Sequence, residues 1–153
     1  MVHTVPRFLH ILTAFCGTGE AQNNRTMQFN KKEIAAILNV ANAMAEIDGK
    51  VDTIEMDVIY SQMTRLGIEY DELFALTETA ILNMAPHTAI DIIANMSSVQ
   101  KQYVQAILVV IMASDGEIHE REMIMLRMLT MQCSLPPINA NDIKNTLNTF
   151  KNR

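Results

Sequence analysis

The feature that most narrows what this chain can fold into is a short signature it carries twice. The first copy is Met44-Ala45-Glu46-Ile47-Asp48-Gly49-Lys50-Val51-Asp52-Thr53-Ile54-Glu55-Met56. The second is Met112-Ala113-Ser114-Asp115-Gly116-Glu117-Ile118-His119-Glu120-Arg121-Glu122-Met123. In each, an apolar run with helical spacing stops at Asp-Gly, and a branched apolar residue (Val51, Ile118) follows two after the Gly. Glu-Met (Glu55-Met56, Glu122-Met123) then opens another run, its Glu seven after the Asp. The offset between copies is 67 residues. It also pairs Ile59 with Leu126. A hairpin of helix, tight turn and capped helix carries two apolar stripes and buries both by packing against its copy. The expected fold class is therefore all-α: a helical bundle whose four-helix core is two pseudo-symmetric helix–Asp-Gly turn–helix hairpins, within seven to eight helices.

Local signals place those helices. Asn30-x-x-Glu33, Asp52-x-x-Glu55 and Ser97-x-x-Gln100 are capping boxes, in which the first side chain accepts from the third helical N–H and the third side chain reaches back. The helix after Asn30 carries Ile34, Ile37, Leu38, Ala41 and Ala45 at helical spacing. The next puts Val58, Ile59, Met63 and Leu66 inward, with Gly67 as terminator. A fourth covers 71–84 with Leu73, Leu76, Ala80, Ile81 and Met84 inward, and Pro86 suits the first position of a fifth. The run 98–114 is apolar on nearly every side and is expected to be surrounded by other helices. A helix over 120–132 is stopped by Leu135-Pro136-Pro137, and Ile143, Leu147 and Phe150 stripe a last one. Before all of these, Val5, Phe8, Leu9 and Leu12 share a stripe of a short amphipathic helix over 5–15, and 17–27 reads as linker. The division expected is 1–29 as N-terminal helix and linker, 30–135 as the helical domain, and 136–153 as a C-terminal helix packed on that domain.

Charge narrows the partners. The net charge of −5 comes without any Lys/Arg cluster to displace phosphate counterions, which argues against nucleic acid. Residues 46–57 carry five acids and one Lys, and residues 115–122 four acids and one Arg, so the acidity is concentrated on the repeated signature. Cys16 and Cys133 stand alone, a spacing that suits reduced thiols in a cytoplasmic protein better than a disulfide framework. The longest apolar stretch, Ala106–Ala113, is far too short to span a bilayer, so no direct membrane insertion is expected. Phe8–Phe15 is broken by His10 and Thr13 and makes a poor secretory signal.

On the paired apolar helices ending in Asp-Gly, with Val51 or Ile118 and then Glu55 or Glu122, residues 31–132 resemble the tellurite-resistance TerB-like family. That resemblance implies an all-helical cytoplasmic domain tied to metal or oxyanion stress, with acidic surface residues that matter, and adaptor roles where related domains are fused to other modules. The second copy carries His119-Glu120 where the first has Asp52-Thr53.

Two readings of the signature stay open. In one, each turn is a divalent-cation site: Asp48, Asp52 and Glu55 in the first copy, Asp115, His119 and Glu122 in the second. Their oxygens suit calcium or magnesium, and the histidine shifts preference towards zinc. In the other, residues 52 and 119 are N-caps and Glu55 and Glu122 complete capping boxes, spending their carboxylates on backbone N–H groups. Capping leaves Glu46, Asp57, Glu117 and Glu120 unexplained, and an acidic surface for a protein partner accommodates them. Met123, Met125, Met128 and Met131 are expected to fill core gaps. No nucleophile–base arrangement and no glycine-rich phosphate loop is visible. The expected function is a non-catalytic binding or scaffold domain, with a cation-binding stress sensor as the alternative and a homodimer left open.

Overall fold

The computed structural model describes residues 29–47, 53–65 and 67–151. The chain there is a helical bundle of seven helices with no strand among the described residues: α1 (Lys31–Glu46), α2 (Thr53–Thr64), α3 (Tyr70–Asn83), α4 (Pro86–Ala94), α5 (Ser98–Ala113), α6 (Glu120–Gln132) and α7 (Ala140–Lys151). The expected helix over 5–15, Asp48, Gly49, Val51, Asp52 and Leu66 lie outside the described residues.

Two of the expected caps are formed as read. Asn30 Oδ1 accepts from the Glu33 N–H at 2.8 Å while Glu33 Oε1 accepts from the Asn30 N–H at 2.9 Å. Ser97 Oγ and Gln100 Oε1 do the same for α5, at 3.1 and 3.0 Å. The two boxes are repeat mates and they meet: Gln100 Nε2 donates to the second oxygen of Glu33 at 3.3 Å. One chain of hydrogen bonds thus ties the N-termini of α1 and α5 together. Below it both helices are enclosed. No residue of α1 from Glu33 to Ala45 is exposed, and in α5 every residue from Tyr103 to Ala113 is buried.

The hairpins are α1–α2 and α5–α6. Each pair packs together, and α5 also packs on α1 and α2, which joins the copies into one core. The repeat extends further than the signature. At the offset of 67, α1 and α5 have the same limits, as do α2 and all but the last residue of α6. A third helix follows in each copy: α3 packs on α1 and α7 on α5. The burial patterns of α3 and α7 align at an offset of 70, Leu73 with Ile143 and Ala80 with Phe150. The longer offset reflects the extended connector before α7. The symmetry is broken by α4, which packs on both α1 and α6.

Three side chains differ from the periodicity. Ile81 is half exposed rather than inward, and Met128 and Met131 stand in solvent at 52 % and 81 % exposure instead of filling core gaps. Those positions lie on the rim of their helices, where spacing alone does not separate core from surface. The end of α6 also differs from expectation. The helix closes before the prolines: Ser134 takes φ +54 and the Leu135 N–H returns to the Thr130 carbonyl at 3.0 Å, a Schellman-type closure. The carbonyl of Pro136 then accepts from the buried Gln105 amide at 2.6 Å, fastening the connector to α5.

Two polar side chains inside the bundle have opposite consequences. Asn39, midway along α1, donates from Nδ2 to the carbonyls of Ala80 and Met84 at 2.8 and 2.9 Å, satisfying the end of α3. Gln62 in α2 is 3 % exposed and its Oε1 has no hydrogen-bond partner, whereas its repeat mate in α6 is the buried Leu129. An unpaired buried carbonyl costs about 1–3 kcal/mol. Gln62→Leu is therefore expected to raise the melting temperature by about 2–6 °C, and Asn39→Ala to lower it by a similar amount, in thermal denaturation followed by circular dichroism.

Candidate functional site

The described elbow, between α5 and α6, is built from backbone requirements first. Ser114 closes α5 by donating from Oγ to the Ile111 carbonyl at 2.8 Å. Gly116 then turns the chain with φ +85, a conformation L side chains rarely adopt, and donates to the Ala113 carbonyl at 2.9 Å. A β-carbon placed on Gly116 would sit 3.8 Å from Cα and Cγ of Lys151, so the last turn of α7 lies against the elbow. Asp115 Oδ1 accepts from the Glu117 N–H at 3.0 Å, which is the Asx turn that starts the return. Ile118, the branched residue of the signature, packs against the core and anchors that return.

Of the second-copy candidates, Asp115 and His119 are brought together, with Asp115 Oδ2 and His119 Nε2 3.2 Å apart. Glu122 is 3 % exposed, and its Oε1 accepts from the His119 N–H at 3.3 Å, the reach-back half of the expected capping box. The carboxylate of Glu122 is thus engaged with the start of α6. Among the described residues no three His, Cys, Asp or Glu side chains converge as a metal shell. In the first copy, Asp48 and Asp52 lie outside the described residues, as does the Glu55 side chain. The residues that capping left unexplained are placed plainly: Glu46 ends α1, Asp57 is on the second turn of α2, and Glu117 and Glu120 flank His119. All four are exposed.

The His119 imidazole titrates above its ordinary value. The hydrogen bond with Asp115 is the largest cause, opposed by partial burial and assisted by the charges of Asp115, Glu122 and Glu117. Cys133 moves the same way for another reason. It is buried against α4, 3.8 Å from the Ile90 carbonyl, and desolvation pushes its thiol up, which makes it a poor nucleophile. A shallow groove of about 340 Å³ runs between the start of α1 and α4, lined by Asn30, Lys32, Glu33, Thr88, Asp91, Ile92 and Asn95.

Because the folded pKa of His119 is raised, its pairing with Asp115 adds stability that is fully present below the unfolded pKa of about 6.5 and is lost as pH rises through the folded value. His119→Ala is therefore expected to lower the melting temperature at pH 5.5 and to leave it unchanged at pH 9. For so exposed a pair the effect is below about 1 kcal/mol. Melts of both proteins across that pH range check it.

No protein-family model matches this chain, and no curated protein matches it. Among solved structures, a protein of unknown function from Porphyromonas gingivalis W83, PG1108, is similar to it at 32 % sequence identity and a TM-score of 0.68. The match covers 80 % of this chain and 98 % of that one. At that identity and coverage, the chain belongs to the same family as this Porphyromonas gingivalis protein.

Proposed function

We propose that this protein is a non-catalytic cytoplasmic binding or scaffold domain that engages a protein partner through the acidic elbows at the ends of its two hairpins. The observation that carries the reading is the state of four carboxylates. Glu46, Asp57, Glu117 and Glu120 are exposed, and among the described residues no ion pair or side-chain hydrogen bond engages them. Charges placed this way contribute little to the fold but set up a field that attracts and orients a basic surface. The resemblance to TerB-like proteins, in which acidic surface residues matter, points the same way. No helix among the described residues is long and apolar enough to cross a membrane.

A second reading makes a divalent cation the primary ligand. It is favoured by the approach of Asp115 Oδ2 to His119 Nε2, which puts an oxygen and a nitrogen donor side by side at the elbow.

One paired experiment separates the two. The wild-type chain and the neutralised variant Glu46→Gln, Asp57→Asn, Glu117→Gln, Glu120→Gln are used for affinity capture at low and high salt. The adaptor reading expects a protein retained by wild type at low salt and lost both in the variant and at high salt. Identical capture by both chains overturns it. In parallel, melting curves are recorded with calcium, magnesium, manganese or zinc. A sensor gains stability by mass action, and Asp48→Asn with Asp115→Asn abolishes the gain. No shift with any ion removes the sensor reading.

A further inference from the structure

In its second half α6 carries sulfur where its repeat mate carries hydroxyl groups. Met128 and Met131 are 52 % and 81 % exposed. At the offset of 67 their counterparts in α2 are Ser61 and Thr64, which are exposed as well. The fold therefore accepts short polar side chains at these two places, and packing gives no reason for methionine. Met125, one step earlier, differs. It is half-buried and packs against the core, as its counterpart Val58 does.

The three methionines follow one another at steps of three residues, so neighbours lie on adjoining turns with Cβ atoms about 5–6 Å apart. Each thioether ends an unbranched chain with three rotatable bonds, a reach that lets neighbouring sulfurs close on one ion. Met125 holds the inner edge of the set through its packing, and the two exposed members are free to turn towards it.

The donors decide what such a set binds. Residues 123–132 contain no Asp, Glu or His. Calcium and magnesium require oxygen ligands, and zinc requires thiolate, imidazole or carboxylate. Neutral thioethers select a soft ion such as copper(I). The local charge favours the same choice. Arg127 is exposed on this part of the helix with no carboxylate beside it, and a divalent ion meets twice the repulsion a monovalent one does at the same distance. Cys133 takes no part, its thiol being buried against α4. The elbow is separate too, since Met125 lies about 9 Å along the helix from His119.

We propose that Met125, Met128 and Met131 form a thioether site for a soft monovalent ion of the copper(I) class.

The test uses the full chain in a Cys16→Ser background, with methionine ε-methyl groups isotope-labelled. Silver(I) nitrate is titrated in chloride-free buffer, and copper(I) is titrated under ascorbate without air. The Met125, Met128 and Met131 methyl signals are expected to move together and saturate at one ion per chain, while those of the buried Met44 and Met63 stay in place. Calcium and zinc move none of the three. Met128→Leu and Met131→Leu each weaken binding at least tenfold. Leucine keeps the apolar surface and removes the sulfur, so a face that only packs against another protein is indifferent to it. Unmoved signals overturn the proposal, as do three signals with different midpoints. Binding unchanged by both leucine substitutions also overturns it, assigning the ion to other donors of the chain.

Discussion

The structure depends on one constraint: α1 and α5 have almost no side left for water, so each must be covered on every face by other helices. Backbone polar groups inside a helix are satisfied along its own axis, which lets a wholly apolar cylinder be buried at no cost in hydrogen bonds. The cost is shifted to the ends, where four N–H groups and four carbonyls have no partner within the helix. The fold answers at both ends. At the N-termini, the Asn30 and Ser97 boxes satisfy their own helices and are linked through Glu33 and Gln100. Elsewhere side chains of the buried helices serve their neighbours, as Asn39 does for α3 and Gln105 for the connector into α7.

That arrangement explains why duplication left unequal halves. The first two helices of each copy keep their limits to within a residue, because the buried pair and its caps tolerate little change. The third helix is freer. Behind a longer connector, α7 packs on α5 as α3 packs on α1, while it carries Lys144 and Lys151 where α3 has Phe74 and Ile81. In the hairpin partners, α2 buries Gln62 at the position α6 fills with Leu129, and α6 exposes Met128 and Met131. The divergence at Met128 and Met131 is cheap, because a substitution at the rim changes solvation but not packing, whereas the buried Gln62 leaves its Oε1 unpaired.

Much of this was legible in the sequence because the signals are local. A capping box needs four residues, and a positive φ at Gly67 or Gly116 needs one glycine. The limits of α5 and α6 follow from such signals. The clamp of Asn39 on α3 was not legible, since it joins residues 41 and 45 positions apart and Asn in a helix interior carries no local mark of its partner. Nor was the closure of α6 at Ser134, where a non-glycine residue takes the left-handed conformation before the prolines are reached. The exposure of Ile81 on α3 was missed for a related reason. Periodicity locates the centre of an apolar face and leaves the fate of its edges to the neighbours.

The acidic elbow divides in the same way. Sequence by itself determined an all-helical chain, its internal duplication, and an acidic turn in each copy, because helical periodicity, capping and net charge are sums over nearby residues. Only the tertiary structure decided that Glu122 is buried and committed to the start of α6, that Asp115 and His119 meet, and that Glu46, Asp57, Glu117 and Glu120 face water. The reason is that burial and the pairing of charges depend on what other segments bring to a residue, and no local pattern records that.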